Sequence, residues 1–148
     1  MTEINNYPAV AFNFDVKFSG GGISGDGSFQ EISGLSAQLS VEEVNFGGGG
    51  ASVCRLPKPA TFKNLTLKRG FVVSSTLRDW VRRAIFEFEF TPITVTIHLL
   101  DGNQNPIMTW IASNAWPVKW EIGAFNSQKS EIAIETFEIA FDNLTVQN

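Results

Sequence analysis

The chain has 148 residues, 43% of them hydrophobic and 18% charged, which is typical of one folded domain rather than of a disordered chain. A net charge of −4 argues against a nucleic-acid-binding protein, which needs a basic surface. No stretch has the about 18 consecutive apolar residues of a membrane-spanning helix.

Cys54 is the only cysteine, so an intrachain disulfide is impossible. The opening MTEINNYPAV lacks the basic and apolar segments of a secretory signal peptide. We therefore expect a single domain over residues 1–148, without a membrane anchor. We expect it to be made in a reducing cytosol and to bypass the ordinary secretory route on any later exit from the cell.

The first periodic segment alternates apolar and polar side chains. Its apolar positions are Phe12, Phe14, Val16 and Phe18, and its polar positions are Asn13, Asp15 and Lys17. A period of two predicts a half-buried strand. The glycine-rich segment SGGGISGDG then predicts a hairpin connection. Two more strands are expected around Gly34, and another through Leu65 and Leu67.

One segment has the period of a helix. Its apolar side chains recur at spacings of three and four: Leu77, Trp80, Val81, Ala84 and Ile85. Charged residues occupy the opposite side: Arg78, Asp79, Arg82 and Arg83. The pattern predicts an amphipathic helix of about three turns, with Ser75 or Thr76 as N-cap.

The second half of the chain returns to alternation. ITVTIHLL places Ile93, Val95, Ile97 and Leu99 opposite Thr94, Thr96 and His98. A turn is predicted from Asp101 to Pro106, then a strand, a break near Pro117 and another strand. In EIAIETFEIAF the alternation slips. A bulge near Glu135 and Thr136 would place all five apolar residues on one face: Ile132, Ile134, Phe137, Ile139 and Phe141.

Roughly seven or eight strands and one helix predict a mainly β fold. We expect two antiparallel sheets forming a sandwich or flattened barrel, with one flanking α-helix. The segment VNFGGGGASVCRLP adds a long projecting hairpin, because Val41–Phe46 and Ser52–Leu56 are strand-like and Gly47–Gly50 lie at or near its tip. A phosphate-binding loop would need a Lys, a Ser or Thr and a helix after the last glycine, and none follows.

Residues that could act as catalytic groups or metal ligands are scattered along the sequence. His98 is the only histidine, Cys54 has no base nearby in sequence, and Glu87 and Glu89 are expected to share a solvated strand face. These residues do not form a catalytic constellation, so we expect no enzyme activity, no metal and no cofactor. A carbohydrate-binding β-sandwich that uses Trp116 and Trp120 remains open as an alternative.

Several segments in order carry a family resemblance: YPAVAFNFDVKF, FQEISGL, VEEVNFGGGG, LPKPATFKNLTLKRG, LRDWV, IHLLDGNQNPIMTWIASNAWPVKW and IAIETFEIAFDNL. Through them the chain resembles the tail tube proteins of contractile phages and related contractile injection systems, typified by the phage T4 tail tube subunit. One departure is the run of four glycines, where the family usually has a more polar stretch around a glycine pair.

The resemblance implies a structural subunit of an inner tube. Such subunits form hexameric rings that stack into a hollow conduit for cargo protein or DNA, which passes without specific binding. The implied partners are copies of the chain and the sheath, baseplate and terminator or cap proteins. The subunit would assemble in the cytoplasm and become part of a phage tail or a released injection particle. A type VI secretion tube protein and a minor tube initiator remain alternatives within this class.

The resemblance also implies two sets of site residues. The hairpin would contact neighbouring subunits through Val44, Phe46, Gly47, Gly48, Gly49, Gly50, Val53 and Arg55. Polar strand faces would line the lumen, and the candidates are Asn13, Asp15, Lys17, Thr94, Thr96 and His98.

Overall fold

The computed structural model describes residues 13–25, 27–47, 52–129 and 131–148, and these contain nine strands and one helix. Phe12, which the sequence places in the first strand, lies outside the described residues. In chain order the elements are β1 (Asn13–Ser19), β2 (Glu31–Ser33), β3 (Ala37–Asn45), β4 (Val53–Phe62), β5 (Leu65–Gly70), α1 (Thr76–Glu87), β6 (Ile93–Leu100), β7 (Pro106–Ile122), β8 (Ile134–Ala140) and β9 (Asn143–Gln147).

Strand β7 is 17 residues long and belongs to two antiparallel sheets. Its first part pairs with β6 and β9, which gives sheet A in the order β1-β6-β7-β9. Its second part pairs with β8, which gives sheet B in the order β7-β8-β5-β2. Asn114, with φ 52°, lies next to the boundary between the two parts, one residue before Ala115, which still pairs with β6. The predicted mainly β fold with two antiparallel sheets and one helix is confirmed, and the described strands do not close into a barrel.

The core lies between the two sheets and the helix. Apolar residues at alternate positions of β1, β5, β6 and β8 provide most of it, because successive side chains of a strand point to opposite faces. Its fully or almost fully buried members include Val16, Leu65, Leu67, Val95, Ile97, Phe137 and Ile139. Helix α1 adds Leu77, Trp80, Val81 and Ala84, as its predicted period requires.

Helix α1 begins with the predicted N-cap. The Ser75 hydroxyl accepts a hydrogen bond from the Arg78 backbone N–H at 3.1 Å. The helix ends at Glu87, followed by Phe88 in the left-handed conformation with φ 54°. The prediction that Glu87 and Glu89 share a strand face is therefore wrong. Ile85, predicted on the apolar face, is 39% exposed.

The predicted bulge in β8 is wrong. Its register with β5 runs without a shift from Leu65 opposite Ile139 to Gly70 opposite Ile134. The alternation slips because Glu135, a charged residue, occupies a core position and is fully buried. Ile132 lies before the strand and is 72% exposed.

Two connections also differ from expectation. The glycine-rich segment after β1 does not join a hairpin, because β1 pairs with β6 in sheet A while β2 pairs with β5 in sheet B. Strand β7 continues through Pro117, with only a shift in its register with β8 between Pro117 and Lys119. Strand β9 was not predicted.

The expected break at Gly34 is confirmed between β2 and β3. Gly34 has φ 93°, and a Cβ atom there would collide with the Asn64 carbonyl oxygen. Both conditions favour glycine.

Candidate assembly surfaces

Strands β3 and β4 form a hairpin arm, defined here as Ala37–Phe62. The two strands pair with each other, and neither makes an extensive contact with another described element. The base of the arm is held by Phe62, whose ring centroid lies 5.7 Å from that of Phe141 next to the core. The long projecting hairpin predicted from the sequence is present.

One face of the arm carries exposed apolar side chains, interspersed with the polar side chains of Glu43, Asn45 and Arg55. The cross-strand register places Leu39, Val41 and Val53 on the same face as Phe62, with Arg55 between them, once the irregularity between Leu39 and Val41 is allowed for. Leu39 is 61% exposed, and Val41 and Val53 are each 51% exposed. The face that packs on the core at the base of the arm is thus uncovered farther out.

The predicted interface residues lie near the far end of this arm. Phe46, Gly47, Val53 and Arg55 are exposed. Val44 is half-buried on the opposite face, where it pairs with Cys54. Gly48, Gly49 and Gly50 lie outside the described residues. The sequence interpretation omitted Leu39, Val41 and Leu56, although their alternation with polar neighbours in exposed strands carries the same signal.

The six predicted lumen residues share one face of sheet A, opposite the core. In the β1–β6 register Asp15 lies opposite His98, and Lys17 lies opposite Thr96. Asn13 and Thr94 follow at the two ends of the same alternation. Strands β7 and β9 extend this polar face, because Thr109 lies opposite both His98 and Gln147. His98 Nδ1 and Thr109 Oγ1 are 2.9 Å apart.

A charged cluster, which the sequence interpretation missed, lies at the junction of sheet B and α1. The Glu135 carboxylate is fully buried and accepts hydrogen bonds from Arg69 Nε at 3.2 Å, Arg78 Nε at 2.6 Å and Trp120 Nε1 at 2.8 Å. Arg69 also donates to the N-cap hydroxyl of Ser75 at 2.7 Å. We call these five residues the Glu135 cluster. It joins strands β5, β7 and β8 to the beginning of the helix.

The cluster keeps Glu135 ionised. Burial raises the pKa of the Glu135 carboxyl, but this is outweighed by hydrogen bonds from Arg78 and Trp120, the charge of Arg78 and a hydrogen bond from Arg69. The net result is a pKa below the ordinary value of a glutamate. Arg69 also lies over the Phe29 and Phe137 rings, at 5.4 and 5.2 Å from their centroids. The cluster is a stabilising element of the fold.

A second exposed apolar surface follows the helix. The Phe88 and Phe90 ring centroids are 4.8 Å apart, and those of Phe90 and Trp116 are 6.1 Å apart, both edge to face. Together with Pro92 these rings line a shallow hollow of about 520 Å³. We call Phe88, Phe90 and Trp116 the aromatic patch. The dense FEFEF run at residues 86–90 was the sequence signal for it.

The structure does not bring together the residues that a carbohydrate-binding site or a metal site would need. Trp116 lies opposite Ala140 on the outer face, whereas Trp120 lies opposite the buried Phe137 and donates its N–H to Glu135. The two tryptophans therefore do not form one sugar-stacking platform. Among the described residues, no group of three or more His, Cys, Asp or Glu side chains could hold a metal ion. In the same part of the chain, no helix is long and apolar enough to cross a membrane.

Comparisons with solved structures identify chains that share this fold. The chain is similar to one in the six-fold-symmetrised anti-feeding prophage baseplate, with a TM-score of 0.82, 29% identity, and coverage of 96% of this chain and 97% of that one. A chain in the extended sheath–tube complex of PVC, an extracellular contractile injection system, gives a TM-score of 0.78, 25% identity and coverage of 97% and 93%. A type six secretion system protein shares the fold, with a TM-score of 0.60, 12% identity and coverage of 92% and 83%.

A comparison with curated protein sequences finds no match. A family-model comparison, in contrast, matches residues 10–145 to the T4-like virus tail tube protein gp19. This match covers nearly the whole chain and confirms the resemblance found in the sequence. The chain belongs to the T4-like virus tail tube protein gp19 family, a family of structural tube components.

Proposed function

We propose that this chain is the subunit of an inner tube in a contractile tail or injection particle, that it forms hexameric rings, and that the rings stack into a hollow conduit. The polar face of sheet A carries this proposal. Six side chains selected from the sequence as lumen candidates share that face, and the opposite face of the same sheet is buried core.

The edges of sheet A support ring formation. Among the described strands, β1 and β9 pair on one side only. An unpaired strand edge presents backbone N–H and C=O groups that a neighbouring chain can extend. A head-to-tail contact between such edges closes into a ring when the rotation per subunit divides a full turn. Six copies of sheet A would then form one continuous wall with its polar face inward.

The chemistry of that wall suits passage rather than binding. Its charged members in the described pairing, Asp15 and Lys17, are of opposite sign and lie on the same strand, and their neighbours Thr94 and Thr96 are uncharged. A wall of short polar side chains without a concentrated charge offers no strong electrostatic minimum to a moving cargo. Protein or DNA would therefore pass without specific binding.

The hairpin arm supports stacking. Leu39, Val41 and Val53 are exposed on one of its faces, and exposed apolar patches mark sites of protein association. Contacts between a projecting arm and a different surface of the next copy do not close on themselves along the axis, and so they produce a filament. We therefore assign the arm to contacts with neighbouring subunits, including the adjacent ring.

The partners follow from the same role. We propose that sheath, baseplate and terminator or cap proteins contact this tube, and that the assembled tube belongs to a phage tail or a released injection particle. Structures with similar chains support this proposal, since one is a baseplate and another is a sheath–tube complex. We propose residues 1–148 as one domain of this tube.

Electron microscopy of the purified protein tests the assembly. Rings or tubes with a central channel are expected, together with sedimentation that increases with protein concentration. Deletion of Val44–Arg55 should leave a folded subunit that does not polymerise, because it removes the outer part of the arm and no buried hydrophobic residue of the core. A chain that stays monomeric at high concentration, or normal tubes from the deletion variant, would contradict the proposal.

A thiol-access experiment tests the lumen face. In a Cys54→Ser background, Lys17→Cys places one thiol on the polar face of sheet A. In the monomer this thiol should react with both a small maleimide and a maleimide carrying a large polymer. In the tube it should react only with the small reagent. Equal reaction with the large reagent in monomer and tube would show that the face is not inside.

A further inference from the structure

We propose that the aromatic patch is the docking site for the hairpin arm of a second copy of this chain. The inference rests on the proposed function, since it names the surface that receives the arm of a neighbouring subunit. Three observations carry it: the strained conformation of Phe88, the uncovered apolar face of the arm, and unpaired charges of opposite sign on the two surfaces.

The aromatic patch is held in place at a conformational cost. Phe88 has φ 54° and ψ 35°, a left-handed conformation that glycine adopts most easily and that bulky side chains rarely adopt. Its ring is nevertheless 81% exposed. The backbone turn by itself requires no phenylalanine, and the exposed ring adds little to the core. Strain of this kind is retained at functional sites, which points to a role for the ring outside the subunit.

The patch is also preorganised. The Phe88 and Phe90 rings meet at 84°, and the Phe90 and Trp116 rings meet at 88°. Edge-to-face contacts fix the orientation of exposed rings, so little side-chain freedom is lost when a partner binds. Exposed aromatic anchors beside a shallow hollow are the residue types that dominate binding energy at protein interfaces.

The arm has the complementary shape and chemistry. Leu39, Val41 and Val53 are exposed on one face, with the Glu43–Arg55 pair between Val41 and Val53, and this face continues the one that packs on the core through Phe62. Strand β4 has ten residues and extends about 33 Å at about 3.3 Å per residue. The outer part of this face therefore lies beyond its own core contact, where another copy can cover it.

The positive charge of Arg55 favours the patch as the partner of this face, although Glu43 beside it carries the opposite sign. Arg55 lies among the apolar residues of the arm, opposite Glu43 in the register, yet within the described residues it makes no ion pair. Glu87 and Glu89 flank Phe88 and likewise make no ion pair in the described part of the chain. Docking would place the Arg55 guanidinium against these carboxylates and over an aromatic ring, both favourable contacts for arginine.

The contact is heterologous, because the arm and the patch are different surfaces of the same chain. Each subunit therefore gives one arm and receives one. Such contacts extend from copy to copy instead of ending at a dimer, as tube growth requires.

Disulfide trapping tests the proposal. In the Cys54→Ser background, Val53→Cys and Glu89→Cys are combined in one chain and assembly is checked first by electron microscopy. Oxidation of the tubes with diamide should give a ladder of covalent oligomers on a non-reducing gel, because two thiols join only at the short distances of a disulfide. The matched control combines Val53→Cys with Glu31→Cys, on the outer face of sheet B, and should give no ladder.

Each outcome is assigned. Tubes with a ladder only from the Glu89→Cys pair support the docking site. Tubes that form but give no such ladder, or that give a ladder from the Glu31→Cys pair with or without one from the Glu89→Cys pair, overturn the docking site and leave the tube function standing. Absence of any ring or tube from the unmodified chain overturns the tube function, and the docking site with it.

A charge exchange provides an independent measurement. Arg55→Glu and Glu89→Arg should each raise the protein concentration needed for assembly by about tenfold, and the double variant should recover most of that loss. Two single effects that simply multiply in the double variant would contradict a direct contact between these residues.

Discussion

Charged side chains are usually exposed and apolar side chains buried. The Glu135 cluster departs from the first rule, and the hairpin arm departs from the second. In the cluster a charged side chain is fully buried, while in the arm Leu39 is 61% exposed. The cluster is complete within one chain, since no buried side-chain nitrogen or oxygen among the described residues lacks a hydrogen-bond partner. The arm is incomplete, since its apolar face has no cover. One region therefore stabilises the subunit, and the other is the surface for which we propose contact with a second subunit.

This comparison divides the effects of substitutions into two classes. Changes in the Glu135 cluster should reduce the free energy of unfolding of the isolated subunit. Changes in the arm and the aromatic patch should leave that free energy almost unchanged and alter assembly instead. The following predictions test this division in order of their expected effect on subunit stability.

The largest loss of stability is expected from Glu135→Ala. It removes the carboxylate that pairs with Arg69 and Arg78, and it leaves the almost fully buried Arg69 guanidinium without this counter-charge. Removing one partner of a buried ion pair costs about 3–5 kcal/mol. Urea denaturation of the variant and the unmodified chain measures this difference.

Glu138→Ala is the matched control for that experiment. Glu138 lies on the same strand as Glu135, three residues later and on the opposite face, where it is half-buried. Its removal should change the free energy of unfolding by no more than about 0.5 kcal/mol, as is usual at surfaces. Equal effects of the two substitutions would show that the buried cluster contributes nothing special to stability.

The second prediction concerns pH. Because the pKa of Glu135 is lower in the folded chain, its ion pairs contribute stability that is fully present above the pKa of an unfolded glutamate, about 4.3. That contribution should decrease as the pH falls from this value through the lower pKa of the folded state. Melting temperatures measured from pH 7 to pH 3 test this, with Glu135→Gln as the control. The variant should lose less stability over the acid range, and parallel curves would contradict the assignment.

The difference between the two regions also explains how far the sequence could predict the fold. Alternation identified β1 and β6 because their inward positions, such as Val16 and Ile97, are apolar and their outward positions polar. Ser75 was identified as a possible N-cap because that signal is local. The same periodicity placed the lumen candidates on one face of sheet A. These features depend on neighbours in the chain, which the sequence displays.

The features that the sequence did not predict depend on distant partners. Glu135 was excluded from the core because its partners Arg69 and Arg78 are 66 and 57 residues away. The proposed bulge was a way to keep a charge out of the core. Strand β9 is five residues long with one buried side chain, Leu144, so its alternation was too weak to identify. The aromatic patch was missed because Phe88 ends a helix in a conformation uncommon for phenylalanine.

The third prediction concerns the arm. The double substitution of Leu39→Ser and Val41→Ser should change the free energy of unfolding of the subunit by no more than about 1 kcal/mol, because both side chains are already largely in water. Assembly should nevertheless fail, since these residues belong to the face that we propose a neighbouring subunit covers. Val73→Ser is the control, because Val73 is 91% exposed and lies outside the arm. It should affect neither measurement.

The smallest change in stability is expected from Phe88→Gly, and it distinguishes the two regions most sharply. The left-handed conformation costs a residue with a Cβ atom roughly 1–2 kcal/mol, and glycine removes this cost. The lost contact with the Phe90 ring is worth roughly 0.5–1.5 kcal/mol, and these opposing terms nearly cancel. The melting temperature of the monomer should therefore shift by no more than about 2 °C in either direction.

Assembly should respond differently to Phe88→Gly. The substitution removes an exposed ring from the aromatic patch while keeping the turn that glycine forms readily, so any loss of assembly belongs to the ring rather than to the fold. We expect tubes to require a clearly higher protein concentration, measured by sedimentation beside the unmodified chain. If Phe88→Gly assembled normally, the strained phenylalanine would have no role between subunits. The arm would then bind a surface other than the aromatic patch.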